Sequence, residues 1–180
     1  MDFAFILDPL DAIKTAKDSS FAMMEEAAKR GHNLFVLSQQ DVLSRDGIVT
    51  GIAAQVTLTG EKKSWYALKE THERPLSVFD AVLMRKDPPF NMEYVYSTYL
   101  LELAERQGAL VINRARALRD NNEKFSITRF TEFTVPTLVT SLESEIRAFL
   151  ELHGDIVLKP LDGMGGASVF RLQRNDPNIG

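Results

Sequence analysis

Four short apolar runs recur along the first two thirds of the chain: 3–7 (FAFIL), 34–37 (LFVL), 81–84 (AVLM) and 110–112 (LVI). They are continuous rather than alternating, which predicts strands covered on both faces, as in a parallel sheet. Between the first two runs, Asp18, Ser19 and Ser20 offer N-cap oxygens for a helix that reaches Arg30 and stops at Gly31. Between the last two, Asn91 is placed to cap a second helix. On it Met92, Val95, Tyr96, Tyr99, Leu100 and Leu103 fall on one stripe, and Gly108 ends it. Strand, helix, strand units of this size predict an α/β, doubly wound, Rossmann-like parallel sheet.

Residues 39–80 have a different texture. Asp46-Gly47 is a hairpin signal, and the residues after it alternate apolar with polar. The pattern predicts an antiparallel excursion at one edge of the sheet. A second region follows "RARALRDNNE" (114–123), where apolar runs give way to charge. A short helix is expected over 121–130. Another is expected behind Thr140 and Glu143, which have capping-box spacing, with Leu142, Ile146, Phe149 and Leu150 on its apolar face and Gly154 at its end. Strands are then expected at 156–159 and 169–172, on either side of a glycine-rich loop. The division is therefore 1–120 and 121–180.

Composition narrows the chemistry. The 180 residues are 44% hydrophobic and 26% charged, an ordinary globular balance. A net charge of -4 gives no basic field for a nucleic-acid backbone. The absence of cysteine excludes disulfides, thiolate metal sites and a thiol nucleophile. No apolar stretch nears the ~20 residues of a membrane span. The N-terminus "MDFAFILDPLDAIK" has no basic region ahead of its apolar run. These features lead to the expectation of a cytoplasmic protein with no membrane and no nucleic-acid partner. His32, His72 and His153 lack ligand spacing, so no metal site is expected among them. Met23-Met24 and the tyrosines on the apolar stripe of the second helix read as packing residues.

The segment "KPLDGMGGASVF" (159–170) is the strongest chemical signal. A Walker loop places its lysine after the glycines and opens a helix. Here the lysine comes first and a strand follows. The dinucleotide fingerprint likewise needs a helix behind its third glycine. What remains is strand, Lys159, flexible loop, strand. In one reading, Lys159 presents a fixed charge while Gly163, Met164, Gly165, Gly166, Ala167 and Ser168 fold over a polyphosphate and offer backbone N–H groups. In the other, the glycines permit a wide hairpin turn and nothing more. Lys124, in "RDNNEKF", is a second lysine that could reach a different phosphate or sit solvated on the surface.

The strings "SSFAMMEEAAKRGH", "VLMRKDPPFNMEYVYSTYLLE", "LRDNNEKF" and "IVLKPLDGMGGASVFR" resemble, in order and spacing, the bacterial-type glutathione synthetases, which are ATP-grasp ligases. The resemblance runs over all 180 residues. It implies a pre-ATP-grasp substrate-binding domain over 1–120 and the first part of an α+β ATP-grasp module over 121–180. It implies ligation of glycine to γ-glutamylcysteine through an acyl phosphate, with ATP and Mg²⁺. Lys124 and Lys159 are then nucleotide lysines, and 163–168 is a lid segment. Mg²⁺ ligands are expected beyond residue 180, none is assigned within the chain, and the 180-residue chain alone is expected to be inactive. A homo-oligomer is expected for the full-length form. Two other readings remain: a non-catalytic domain for an acidic ligand or for subunit contact, and an ATP-grasp ligase with another substrate.

A dipeptide with two free carboxylates needs cations and helix N-termini around it. Arg85, Lys86 and Asp87 follow the third apolar run, at the carboxyl end of an expected parallel strand. Arg85 suits a carboxylate. Lys86 and Asp87 fit either a ligand or a local ion pair that shapes the turn. Asp8 ends the first strand at the same edge. Ser19 and Ser20 open a helix whose N–H groups could receive a carboxylate, or they simply cap it.

Overall fold

The computed structural model describes residues 1–61, 64–177 and 179. The chain divides into two compact units, one of Met1–Asp87 with Met92–Arg119, the other of Pro88–Asn91 with Asp120–Gly180.

The first unit is built on one mixed sheet. Its parallel centre runs β2 (Asn33–Leu37), β1 (Asp2–Ile6), β6 (Ala81–Met84), β7 (Val111–Ile112). α1 (Ser19–Lys29) connects β1 to β2, and α2 (Met92–Arg106) lies between β6 and β7 in the chain. The short α3 (Ala115–Asp120) follows β7. On β1, Phe5 joins Met24 and Ala27 of α1 in one apolar cluster with Leu34 and Val36. Ala4 and Ile6, which alternate with it, are buried as well. Both faces of β1 are therefore covered, which explains its continuous apolar run.

The expected antiparallel excursion is present. β3 (Val42–Arg45) and β4 (Ile48–Leu58) form a hairpin through Asp46-Gly47, both at positive φ (51° and 82°), as a two-residue primed turn requires. β5 (Tyr66–Pro75) pairs along β4 from Thr50 to Leu58. β3 pairs with Ile48 to Gly51, and β2 with Ala54 to Val56. Because β5 occupies one edge of β4 from Thr50 to Leu58, β2 and β3 share the other edge.

The buried face of α2 is not the predicted stripe. Tyr94, Ser97, Thr98, Leu101 and Ala104 are buried, whereas Met92, Tyr96 and Tyr99 are more than half exposed. The reason is local hydrogen bonding. The Ser97 hydroxyl donates to the Glu93 carbonyl (3.0 Å) and the Thr98 hydroxyl to the Val95 carbonyl (2.6 Å), so small polar residues are buried without an orphaned group. Side-chain size, rather than the apolar count, sets which face packs closely.

The second unit contains α4 (Glu143–His153) and a two-stranded antiparallel sheet, β8 (Asp155–Leu158) with β9 (Phe170–Gln173). Gly154 ends α4 in the left-handed conformation (φ 75°). The helix expected over 121–130 is instead a 3₁₀ turn at Ser126–Arg129, because the Asn122 side chain satisfies the N–H groups of Lys124 and Phe125. At the start of α4, Thr140 accepts from the Leu142 N–H (3.0 Å) and Leu142 itself holds the N-cap position, so no reciprocal box forms. β8 ends at Leu158, which leaves Lys159 as the first residue past the strand.

Candidate functional site

In the first unit the chain leaves β1 for β2 on one side and leaves β6 for β7 on the other. Their carboxyl ends therefore flank a topological switch point, where open α/β sheets bind ligands. All six of the sequence-predicted substrate residues lie there. Arg85 follows β6 directly, and its N–H bonds to the Ile6 carbonyl at the end of β1 (2.9 Å). Its guanidinium donates through Nε to Ser20 Oγ (3.1 Å) and through Nη2 to Ser19 Oγ (2.8 Å). These hydroxyls are available because another residue caps the helix: Asp18 Oδ1 accepts from the Phe21 N–H at 2.9 Å. Of the five N–H donors of a guanidinium, two are spent on neutral oxygens that fix its plane.

Lys86 has a different fate. Its ammonium pairs with Asp8 Oδ1 (2.8 Å) and donates to the Asp87 carbonyl (2.6 Å). Asp8 Oδ2 accepts from the Asp87 N–H at 2.9 Å. Asp8 thus closes the turn after β6, and Lys86 neutralises it. The carboxylate of Asp87 is left exposed. Tyr94 lies close enough to sense Arg85: burial pushes its hydroxyl pKa up, and the Arg85 charge pulls it part of the way back. The sequence reading left Tyr94 off the apolar stripe of this helix. Its position on the buried face of α2 was hidden by the misread stripe.

In the second unit the glycine-rich loop connects β8 and β9. Gly165 and Gly166 have positive φ (63° and 81°), and a Cβ added at either would meet nothing within 4 Å. Ser168 also has positive φ (55°). Among the described residues the tip is closed by local turns, Ala167 N–H to Met164 carbonyl (3.1 Å) and Val169 N–H to Gly166 carbonyl (3.3 Å). Gly163 differs: a Cβ there would lie 3.1 Å from Pro160 Cγ, so the base of the loop is packed. Lys124 reaches that base. Its ammonium donates to the Gly163 carbonyl and pairs with Glu123 Oε1 (2.8 Å). Lys159 is exposed, and its side chain makes no hydrogen bond or ion pair among the described residues. Among the described residues no three His, Asp or Glu side chains are grouped so as to hold a metal ion.

Residues 1–119 match the N-terminal domain of prokaryotic glutathione synthetase, and 123–180 match its ATP-grasp domain. The chain belongs to the prokaryotic glutathione synthetase family. It is 60% identical to glutathione synthetase of Nitrosomonas europaea over the whole chain, covering 57% of that relative. It is 49% identical to the enzyme of the same name from Neisseria meningitidis serogroup A, covering 58% of it. The chain thus spans somewhat more than half the length of these relatives. In fold it is similar to D-alanyl-alanine synthetase A from Vibrio cholerae, with TM-score 0.52 and 13% identity over 96% of this chain and 51% of that one. The likeness supports a mixed α/β fold, and the ATP-grasp assignment rests on the domain match over 123–180. No helix of the described residues is long and apolar enough to cross a membrane.

Proposed function

We propose that this chain supplies the dipeptide-binding domain and the first part of the nucleotide-binding domain of a cytoplasmic, ATP-dependent ligase that joins glycine to γ-glutamylcysteine. The observation that carries this reading is the match of residues 1–119 and 123–180 to the two glutathione synthetase domains, joined to 60% identity over the whole chain.

The two clusters suit complementary tasks. γ-Glutamylcysteine presents carboxylates and an ammonium group. Arg85, oriented by two hydroxyls that bring no negative charge, suits a carboxylate, and the exposed Asp87 carboxylate suits the ammonium. Lys86 and Asp8 serve by shaping the turn that presents both. In the second unit the residues present fit a polyphosphate. Lys159 offers an uncommitted charge, Lys124 retains one of its three N–H donors, and the glycine tip bears no side chain that would keep backbone N–H groups from a phosphate. Bound ATP would supply the phosphoryl group that turns the cysteinyl carboxylate into an acyl phosphate, ready for attack by the glycine amine. The lysines would stabilise charge on the transferring oxygens and hold them in place. Among the described residues no three acidic or imidazole side chains are grouped around a metal position, and no step is assigned to Mg²⁺.

The test is phosphate release by the protein carrying its complete reading frame. Release should require ATP, glycine and γ-glutamylcysteine together, with one tripeptide formed per phosphate. Release that does not respond to glycine, or that prefers another dipeptide, would overturn the assignment.

A further inference from the structure

The base of the glycine loop is held at three successive carbonyls, and each contact lies within the second unit. Asn122 Nδ2 donates to the Leu161 carbonyl (2.9 Å), the Phe90 N–H donates to the Asp162 carbonyl (3.3 Å), and Lys124 Nζ donates to the Gly163 carbonyl. From Met164 to Ser168 the two local turns are the bonds that remain among the described residues. Asn122 stands apart from the other two anchors because it works in both directions. While its amide holds Leu161, its Oδ1 accepts from the backbone N–H of Lys124 (3.0 Å) and of Phe125 (2.9 Å). One planar amide therefore fixes the backbone that carries Lys124 and the strand exit that carries Lys159 and the loop.

We propose that Asn122 is a positioning residue for nucleotide binding: its amide joins the Lys124 segment to the base of the glycine loop, so that both lysines are set and the loop hinges after Gly163. The proposal rests on the nucleotide role given to this loop above. An amide is the group the geometry needs. It must donate at one end and accept at the other, while serine is too short to do both and a carboxylate cannot donate when ionised. Because the bonds of the Asn122 amide go to backbone groups, the tether acts through the placement of Lys124 and Lys159.

The test compares Asn122→Asp with Asn122→Ala in the protein carrying its complete reading frame. Aspartate keeps the acceptor that satisfies Lys124 and Phe125 but loses the donor to Leu161. The Asn122→Asp protein should melt close to wild type. Its KM for ATP should rise about tenfold with little change in the KM for dipeptide, and amide exchange across 161–168 should quicken several-fold without nucleotide. The ATP defect should ease as pH is lowered and the new carboxyl regains a proton to donate. Asn122→Ala should show the same ATP defect at every pH. An Asn122→Asp protein with wild-type ATP parameters and wild-type exchange would overturn the proposal. So would equal loss of ATP and dipeptide recognition together with a large fall in melting temperature. The exchange measurement needs no turnover, so a protein that fails to ligate glycine would refute the functional assignment while leaving the tether itself under test.

Discussion

Replacing Arg85 by alanine separates what this side chain does for the fold from what it does for a ligand. In the folded protein it makes two side-chain hydrogen bonds, to Ser20 Oγ at 3.1 Å and Ser19 Oγ at 2.8 Å. Ser19 is exposed, so water replaces the lost donor there at almost no cost. Ser20 is 5% exposed, and leaving its hydroxyl without a partner should cost about 1 kcal/mol. For a unit of this size that is a fall in melting temperature of roughly 3–6 °C. Ligand binding should suffer more. A charge-assisted contact to a carboxylate is worth about 1.5–3 kcal/mol, or a 10- to 150-fold weaker affinity for γ-glutamylcysteine. Calorimetric titration of the dipeptide, with a thermal melt of the same samples, reads both quantities. Arg85→Lys should fall between, because one ammonium cannot keep the planar fork on both hydroxyls and also meet a carboxylate. A less than threefold change in affinity would refute the role given to Arg85. A melting shift above about 12 °C would show that its contribution is mainly structural.

Three further outcomes are expected. Lys159→Ala should weaken ATP binding by about 1.5–3 kcal/mol, read by equilibrium binding of a fluorescent ATP analogue, with dipeptide affinity unchanged. A parallel loss of both would contradict a charge dedicated to phosphate. Leu101→Ala removes a fully buried side chain of α2 and should cost about 2–5 kcal/mol in urea unfolding; a cost below 1 kcal/mol would reopen which face of α2 packs. Glu102 is held below the usual glutamate range, first by its hydrogen bond from Arg119. A depressed carboxyl contributes stability that is fully present above its unfolded value. That contribution is lost as pH falls from about 4.3 through the lower folded value. Glu102→Gln should therefore flatten the stability profile in that acid window and leave its slope above pH 5 unchanged.

The parallel strands and the first helix were legible because each is local: a continuous apolar run, or caps set a fixed distance apart. The Asp46-Gly47 hairpin was legible for the same reason, since two consecutive positive φ values restrict which residues can stand there. The face of α2 was not. Periodicity counts apolar side chains, but Ser97 and Thr98 enter the core by bonding to their own helix, and that choice depends on how closely α2 approaches its neighbours. The candidate ligand residues show the same division. That Arg85 would stand at the carboxyl end of a strand was readable from the apolar run before it. That Lys86 would be consumed by Asp8 was not, because the pair is separated by most of the first unit in sequence and meets only through the register of β1 with β6. Asn122 was missed too. Its neighbour Lys124 carries the charge that draws attention, while an asparagine before a turn reads as ordinary loop chemistry.

The contrast between Arg85 and Lys86 explains why two adjacent cations follow one strand. A turn that crosses from β6 must satisfy its own backbone, and Asp8 does so by accepting from the Asp87 N–H. That places a partly buried carboxylate beside the candidate dipeptide site, where it would repel an acidic ligand. Lys86 cancels it at 2.8 Å and, being committed there, has little charge left to offer. Arg85 is oriented by hydroxyls instead, which accept hydrogen bonds without bringing any charge of their own. The same division recurs in the second unit, where Lys124 is engaged by Glu123 and a loop carbonyl while Lys159 has no side-chain partner among the described residues. In each unit one cation holds the local architecture and its companion keeps its charge available. Exchanging their types, with lysine at 85 and arginine at 86, should therefore fail even though the net charge is preserved: a lysine cannot span Ser19 and Ser20, and an arginine fork does not fit the single-point contact that the Asp8 and Asp87 oxygens make with an ammonium.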